Sequence, residues 1–282
     1  MPHFIKKRLA LLPLLAVLIS LFSFPAQASS YPTPEEVRDH LQGKRILFLG
    51  DSYTSTRGLD DYWDSWSGRL QTDFGMEVVC RSINGSTVTM SPFWGFAPGC
   101  CWFPICFRPI PEEETYDFIL VTCGSNDWDQ DLPIGSDPES RRPWCFMGAM
   151  NLLIDRLQEA HPESILIFMT PWVSDGSKNY HGYTTNDYAY AMEYVCELRG
   201  VYCMNVSFPW VSGIFADNPE FREKYFISPT DPWHLNEWGH ARFLPLAALW
   251  LDEICRYDAQ WKWKQQLSGT HTSRGDMLPQ VQ

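Results

Sequence analysis

Short apolar runs alternate with longer amphipathic stretches through most of this 282-residue chain. The apolar runs predict buried strands, and the stretches between them predict helices that cover both faces of a sheet. The predicted strands are residues 45–49, 77–80, 118–122, 164–170 and 201–205. The predicted helices are residues 62–74, 146–160, 184–199, which Gly200 ends, and 236–257. This order is typical of a three-layer α/β/α sandwich around a central parallel sheet of about five strands.

In a parallel sheet of this kind, functional residues gather at the carboxyl ends of the strands. Gly50, Asp51 and Ser52 follow the first predicted strand directly. A serine in this place is usually a turn former or a helix cap, so the tripeptide alone is weak evidence for catalysis. We expect Asp51 to hydrogen-bond locally and to shape the turn.

The amino-terminal residues are typical of a secretory signal peptide rather than of a folded element. Lys6, Lys7 and Arg8 precede an apolar run at residues 9–24, and Ala26-Gln27-Ala28 follows as a cleavage signal. The apolar run is short for a membrane anchor, which is the alternative. We therefore expect residues 1–28 to be removed and the protein to be secreted or periplasmic, without stable membrane insertion.

The remaining residues are expected to form one domain, residues 29–263, followed by a polar tail at 264–282. The whole chain has a formal net charge of −12, and loss of the signal peptide makes it more negative. Such a charge repels phosphate backbones and anionic membranes, so nucleic acid is not an expected partner. The sequence does not indicate an oligomeric state.

All nine cysteines follow the signal peptide, so disulfides are compatible with export. A bridge between Cys196 and Cys203 is the preferred pairing, and at least one further bridge from the 100–106 region to Cys80 or Cys145 is plausible. A zinc site in that region is the less favoured alternative, because no histidine stands at ligand spacing. Cys123 ends an apolar strand and is expected to be a buried structural thiol.

The segment "DPWHLN" raises the interest of Ser52, because it places Asp231 three residues before His234. Within one turn the carboxylate can orient one imidazole nitrogen while the other faces a substrate. A serine hydroxyl needs such a base to act as a nucleophile at neutral pH. Ser52, His234 and Asp231 therefore form a candidate nucleophile, base and orienting acid.

Acyl transfer also requires donors for the oxyanion that develops on the substrate carbonyl. Gly85 follows the second predicted strand, and Asn126 follows the third in "GSND". With the Ser52 N–H they form a candidate oxyanion hole.

The four segments, in this order, resemble the conserved blocks of the SGNH (GDSL) hydrolase family over roughly residues 44–253. The resemblance implies a flavodoxin-like fold and esterase chemistry, with Ser52 as nucleophile, His234 as base, Asp231 as its partner, and Gly85 and Asn126 in the oxyanion hole. Tyr53 stands where the family often has leucine, and Ser125 where threonine is common. No metal or organic cofactor is implied, and the G-x-S-x-G signature of the alternative α/β-hydrolase fold is absent.

Three tryptophans, Trp128, Trp172 and Trp233, fall in loops at the expected active-site edge and suggest stacking against a sugar. They favour a short acyl group on a carbohydrate as the substrate. The aromatic, cysteine-rich insertion at residues 91–111 leaves two alternatives open, a lid for a lipid acyl chain or a loop packed on the body. A non-catalytic carbohydrate-binding protein on the same fold is a further alternative.

Overall fold

A computed structural model describes residues 32–55, 57–91, 103–172 and 176–268. The expected signal peptide and most of the expected tail lie outside these ranges. The strands are β1 (Arg45–Leu49), β2 (Glu77–Cys80), β3 (Phe118–Thr122), β4 (Ile165–Met169) and β5 (Tyr202–Met204). The α-helices are α1 (Pro34–Leu41), α2 (Trp66–Phe74), α3 (Ser125–Asp129), α4 (Phe146–Ala160), α5 (Thr185–Arg199), α6 (Pro209–Ser212), α7 (Pro219–Tyr225) and α8 (Glu237–Ser268).

The five strands form one parallel sheet in the order β2-β1-β3-β4-β5. The flavodoxin-like architecture is therefore confirmed. In this order the chain first runs outward from β1 to β2 and then returns to the other side of β1 at β3. Folds with this strand order bind ligands at the carboxyl ends of β1 and β3, where the direction of winding reverses.

Alternate side chains of the strands point into two separate hydrophobic cores. On one face, Ile46, Phe48 and Leu120 pack with Trp66 of α2 and Phe243 of α8. On the other face, the neighbouring positions along the strands pack against α4 and α5 through residues including Leu47, Val121, Phe168, Leu153 and Met192. β1, β3 and β4 are almost completely buried, which explains why they appear in the sequence as continuous apolar runs.

Local signals set the ends of the covering helices. Ser65 caps α2 by accepting a hydrogen bond from the Gly68 N–H at 2.9 Å. Thr184 caps α5 in a capping box with Asp187, and Gly200 ends that helix in the left-handed conformation, as predicted. The last helix differs from the prediction, because α8 continues beyond Tyr257 to Ser268.

The predicted bridge between Cys196 and Cys203 is wrong, since both are free thiols. Cys196 is 1% exposed on the inner face of α5, and its burial raises the pKa of the thiol well above its ordinary value. Cys80, Cys106 and Cys145 are free as well. The sulfurs of Cys80 and Cys145 are directed to backbone carbonyl oxygens, those of Thr54 and Arg142. Cys100 and Cys101 lie outside the described residues.

Two kinds of feature are absent from the described ranges. No helix there is long and apolar enough to cross a membrane. The same ranges contain no group of three histidine, cysteine or acidic side chains placed to hold a metal ion.

Candidate active site

Ser52 begins a short 3₁₀ helix, Ser52–Thr54, directly beyond the end of β1. The preceding Asp51 caps this helix, because its Oδ1 accepts a hydrogen bond from the Tyr53 N–H at 3.0 Å. The Trp66 indole donates to the Tyr53 carbonyl oxygen at 2.8 Å and ties the same turn to α2. Ser52 is 9% exposed, and these two hydrogen bonds hold its turn at the carboxyl edge of the sheet.

The lack of a side chain at Gly50 allows the chain to pass close to Thr122 just before Ser52. The φ of Gly50 is +157°, and a Cβ there would lie 2.2 Å from Thr122 Oγ1 and 2.6 Å from the Thr122 carbonyl oxygen. Only glycine therefore allows the chain to leave β1 so close to the end of β3. This close approach brings the loops after the two strands into contact.

Asp51 is fully buried beneath this turn and links it to the loop after β3. Its carboxylate accepts hydrogen bonds from Thr122 Oγ1 at 2.9 Å and from Ser125 Oγ at 3.1 Å. Burial raises the pKa of Asp51, and the hydrogen bonds from Tyr53 N–H, Thr122 and Ser125 oppose that rise. The local hydrogen bonding expected of Asp51 is confirmed, and it extends to β3.

His234 and Asp231 lie on the loop that precedes α8. Asp231 Oδ1 accepts the N–H groups of Trp233 at 2.9 Å and His234 at 3.1 Å, which closes a tight turn. Asp231 Oδ2 lies 2.7 Å from His234 Nδ1, and His234 Nε2 lies 2.9 Å from Ser52 Oγ. Partial burial alone would raise the pKa of Asp231, but the hydrogen bonds from His234 and Trp233 outweigh it, so the pKa is lowered.

The structure thus brings Ser52, His234 and Asp231 into one hydrogen-bonded series, as their sequence contexts suggest. Because Asp231 holds one ring nitrogen, the other is left to accept the Ser52 proton. Such a series can convert a serine hydroxyl into a nucleophile.

Gly85 and Asn126 lie beside this series. Gly85 has a φ of +77° in the turn of residues 83–86 that follows β2. Asn126 Nδ2 donates to the Ser86 carbonyl oxygen at 3.0 Å and makes a longer contact of 3.4 Å with Asp51 Oδ2. Asn126 is therefore next to the Gly85 turn on one side and next to the Ser52 turn on the other.

Asp127 is a residue of this site that the sequence analysis did not single out. It is fully buried, and its carboxylate accepts the backbone N–H groups of Val88, Thr89 and Gly124 at 3.0–3.2 Å. Burial raises the pKa of Asp127 to about 6 despite these hydrogen bonds. Asp127 thereby joins the loop after β2 to the loop after β3. In the sequence, its position next to Asn126 in "GSND" is the feature that could have indicated a role in this site.

The three tryptophans occupy different environments. Trp172 is 1% exposed, packs on Tyr53 with 4.1 Å between ring centroids, and donates to the Trp233 carbonyl oxygen at 3.0 Å. Its ring belongs to the core below the site, so it supports Trp233 and does not offer a face to substrate. Trp128 and Trp233 are partly exposed, with ring centroids 5.5 Å apart.

The end of the 91–111 insertion packs on the body of the protein. Residues 92–102 lie outside the described ranges, whereas Ile105 and Cys106 are fully buried in a short 3₁₀ helix, Ile105–Phe107. The Ile105 N–H donates to the Thr87 carbonyl oxygen at 2.9 Å, which attaches this segment to the loop after β2. The described end of the insertion therefore packs on the body of the protein.

Comparison with known proteins agrees with this architecture. The family model for the GDSL-like Lipase/Acylhydrolase family matches residues 48–242. A solved protein from Lactobacillus plantarum is similar at 26% identity and a TM-score of 0.62, over 76% of this chain and 99% of that one. A structure from Chitinophaga pinensis described as a possible lipase has 17% identity and a TM-score of 0.54, over 77% and 99%.

A family two carbohydrate esterase from Clostridium thermocellum shares the fold at 15% identity and a TM-score of 0.51, over 74% of this chain and 63% of that one. No curated protein matches the sequence at a significant level. The family model covers more than half of the chain, including the turn of Ser52 and the loop of His234. The chain therefore belongs to the GDSL-like lipase/acylhydrolase family and is a hydrolase of ester bonds.

Proposed function

We propose that the protein is a secreted serine esterase that removes short acyl groups, such as acetyl, from a carbohydrate through an acyl-enzyme. The observation that carries the proposal is the unbroken series of contacts from Ser52 Oγ to His234 Nε2 at 2.9 Å and from His234 Nδ1 to Asp231 Oδ2 at 2.7 Å. These distances are within hydrogen-bond reach, which proton transfer in the reaction requires.

In the proposed reaction, His234 Nε2 takes the Ser52 proton while Oγ attacks the ester carbonyl carbon. The tetrahedral intermediate collapses when the C–O bond to the alcohol breaks, and His234 returns the proton to the departing alcohol oxygen. A water molecule then gives a proton to His234 and attacks the acyl-enzyme. The Ser52 oxygen leaves with the proton held by His234, and the free acid is released.

The negative charge that develops on the carbonyl oxygen would be held by the N–H groups of Ser52 and Gly85 and by the Asn126 amide. One Asn126 N–H is engaged by the Ser86 carbonyl at 3.0 Å, whereas the 3.4 Å contact with Asp51 is long. The N–H nearer Asp51 is therefore the one available to the oxyanion, while the bond to Ser86 holds the amide in place. Donors fixed in advance in this way are worth most in the transition state.

The carbohydrate part of the proposal is supported by the partly exposed pair of Trp128 and Trp233, because Trp233 adjoins His234 in the chain. Flat indole rings can stack on the apolar face of a sugar. The net charge of −12 is unfavourable for approach to anionic lipid surfaces. The buried segment around Ile105 gives no support for a lipid lid, and the intact series of catalytic atoms argues against a protein that only binds.

Hydrolysis of p-nitrophenyl esters from acetate to long-chain acyl, by the full chain and by Ser52→Ala, tests the reaction. We expect activity on short acyl groups only and its loss in Ser52→Ala. Ser228→Ala, in the loop that leads to His234, is the matched control and should keep full activity. Full turnover by Ser52→Ala would refute the mechanism, and a rise in rate with acyl length would refute the short-acyl assignment.

Acetylated oligosaccharides test the second half of the proposal. Trp233→Ala should raise KM for an acetylated oligosaccharide and leave KM for p-nitrophenyl acetate nearly unchanged, because only the larger substrate reaches the indole pair. Equal effects on both substrates would contradict a sugar-binding role. Mass measurement of the protein recovered outside the cytoplasm should give a chain that begins after Ala28, and a retained leader would contradict the proposed processing.

A further inference from the structure

A buried arginine from the 91–111 insertion contacts the turns that carry two of the proposed oxyanion donors. Arg108 is 4% exposed and follows the 3₁₀ helix Ile105–Phe107. Its Nη1 donates to the Gly50 carbonyl oxygen at 3.2 Å, and its Nη2 donates to Ser86 Oγ. One planar guanidinium therefore spans the gap between the loop after β1 and the loop after β2.

Both acceptors are adjacent to the reacting groups. Gly50 lies two residues before Ser52, and its carbonyl oxygen also accepts the Ile83 N–H at 3.0 Å. Ser86 follows Gly85, and its hydroxyl donates to the Ile83 carbonyl oxygen at 2.6 Å. Arg108 thus donates to the Ser86 hydroxyl, which closes the Gly85 turn. It also donates to the Gly50 carbonyl oxygen, which accepts a hydrogen bond from Ile83 of the same turn.

The position of Arg108 is itself fixed by the body of the protein. Arg156 of α4 donates to the Cys106 carbonyl oxygen at 2.6 Å and to the Arg108 carbonyl oxygen at 3.1 Å. Ile105 and Cys106 are fully buried against the same core. The guanidinium therefore reaches the two turns from a rigid support, and the rigid fork of its N–H groups suits two separate acceptors.

We propose that Arg108 is a positioning residue for the esterase reaction, which fixes the Ser52 and Gly85 turns at the separation that lets both N–H groups meet one oxyanion. The inference rests on the proposed function of Ser52. Displacement of such donors by about 1 Å can lower turnover about 100-fold. The positive charge also favours the negative charge that develops nearby during the reaction.

The test compares Arg108→Met and Arg108→Lys with the unmodified full chain on p-nitrophenyl acetate and its thionoester, in which sulfur replaces the carbonyl oxygen. An oxyanion hole shaped for oxygen favours the ester, so loosening the hole should lower the ester rate more than the thionoester rate. We expect Arg108→Met to lower kcat about 10- to 100-fold with KM within about twofold, and to lower the ester-to-thionoester ratio. Arg108→Lys should lose less, because it keeps the charge but cannot span both acceptors.

Arg199→Met is the matched control, because it removes a partly buried guanidinium that binds Asn151 and Asp155 of α4 and neither of the two turns. It should lower the melting temperature and leave the ester-to-thionoester ratio unchanged. A folded Arg108→Met protein with unchanged kcat, or one with lowered kcat and an unchanged ratio, would overturn the inference. If Arg108→Met does not fold, Arg108→Lys decides by the same two readouts.

The Ser52→Ala variant separates the two proposals. If it retains turnover, the proposed function fails and the inference fails with it. If it is inactive while folded Arg108→Met is fully active, the inference alone is refuted.

Discussion

Replacing Asp231 with asparagine should abolish most activity, because it changes which ring nitrogen of His234 carries the proton. The side chain keeps nearly the same shape. Asp231 Oδ1 accepts two backbone N–H groups, from Trp233 at 2.9 Å and from His234 at 3.1 Å. The asparagine oxygen must stay at that position, because an NH₂ group there would face two donors. The new NH₂ group therefore occupies the place of Oδ2, 2.7 Å from His234 Nδ1.

An NH₂ group in that place can only donate, so Nδ1 must become the acceptor and the ring proton must move to Nε2. Nε2 then presents an N–H to Ser52 Oγ and cannot take its proton. The loss in kcat expected from the wrong tautomer is about 10⁴-fold, or roughly 5 kcal/mol of transition-state stabilisation. The two backbone hydrogen bonds remain, so the melting temperature should change by no more than a few degrees.

Steady-state kinetics on p-nitrophenyl acetate with a circular dichroism melt for each protein give the two readouts. Asp217→Asn, an exposed acidic residue, is the charge-matched control and should retain full kcat. A folded Asp231→Asn protein with more than about a tenth of the original kcat would refute the argument from the tautomer.

Three further predictions concern single residues. Asn126→Ala should lower kcat about 10²- to 10³-fold with little change in KM, and steady-state kinetics showing full kcat would remove Asn126 from the oxyanion hole. Gly50→Ala should cost about 3 kcal/mol in the free energy of unfolding, because its Cβ meets Thr122; a urea titration with an unchanged midpoint would contradict this. His240 accepts the Trp66 N–H at 3.2 Å, and burial lowers the pKa of His240 to about 4, so the unfolded chain binds more protons between pH 6.5 and 4. This difference in proton binding makes the free energy of unfolding about 3 kcal/mol larger above pH 6.5 than at pH 4. In denaturation curves, His240→Gln should therefore lose less free energy of unfolding between pH 6.5 and 4 than the unmodified chain. An equal loss in both proteins would contradict the assignment.

The strands could be predicted closely because each is a short apolar run between polar residues. β1, β2 and β3 begin and end at the predicted residues. Four helices were not predicted, because about two turns or fewer give no measurable periodicity: Pro34–Leu41, Ser125–Asp129, Pro209–Ser212 and Pro219–Tyr225. Local caps and prolines set the ends of such elements, and the same residues in a sequence are equally typical of turns.

The grouping of Ser52, His234 and Asp231 could be predicted because each motif stands at the end of an element of known direction. The burial of Trp172 could not, since residue type and loop position do not determine which side of a loop faces solvent. Arg108 gave no signal at all, because its acceptors are a backbone carbonyl and a serine hydroxyl, and many other sites in the chain offer the same groups.

The proposed base, His234, and its partner Asp231 occupy a single turn, whereas the proposed nucleophile Ser52 lies 182 positions earlier than His234 in the sequence. Under the proposed mechanism, a nascent chain therefore carries no competent site until synthesis has passed His234 and the last helix has docked against α2. We expect fragments, stalled chains and unfolded molecules to lack esterase activity for this reason. Labelling of Ser52 by a serine-directed phosphonate would consequently report completed folding. The rate at which labelling becomes possible during refolding would measure the rate at which that final helix docks.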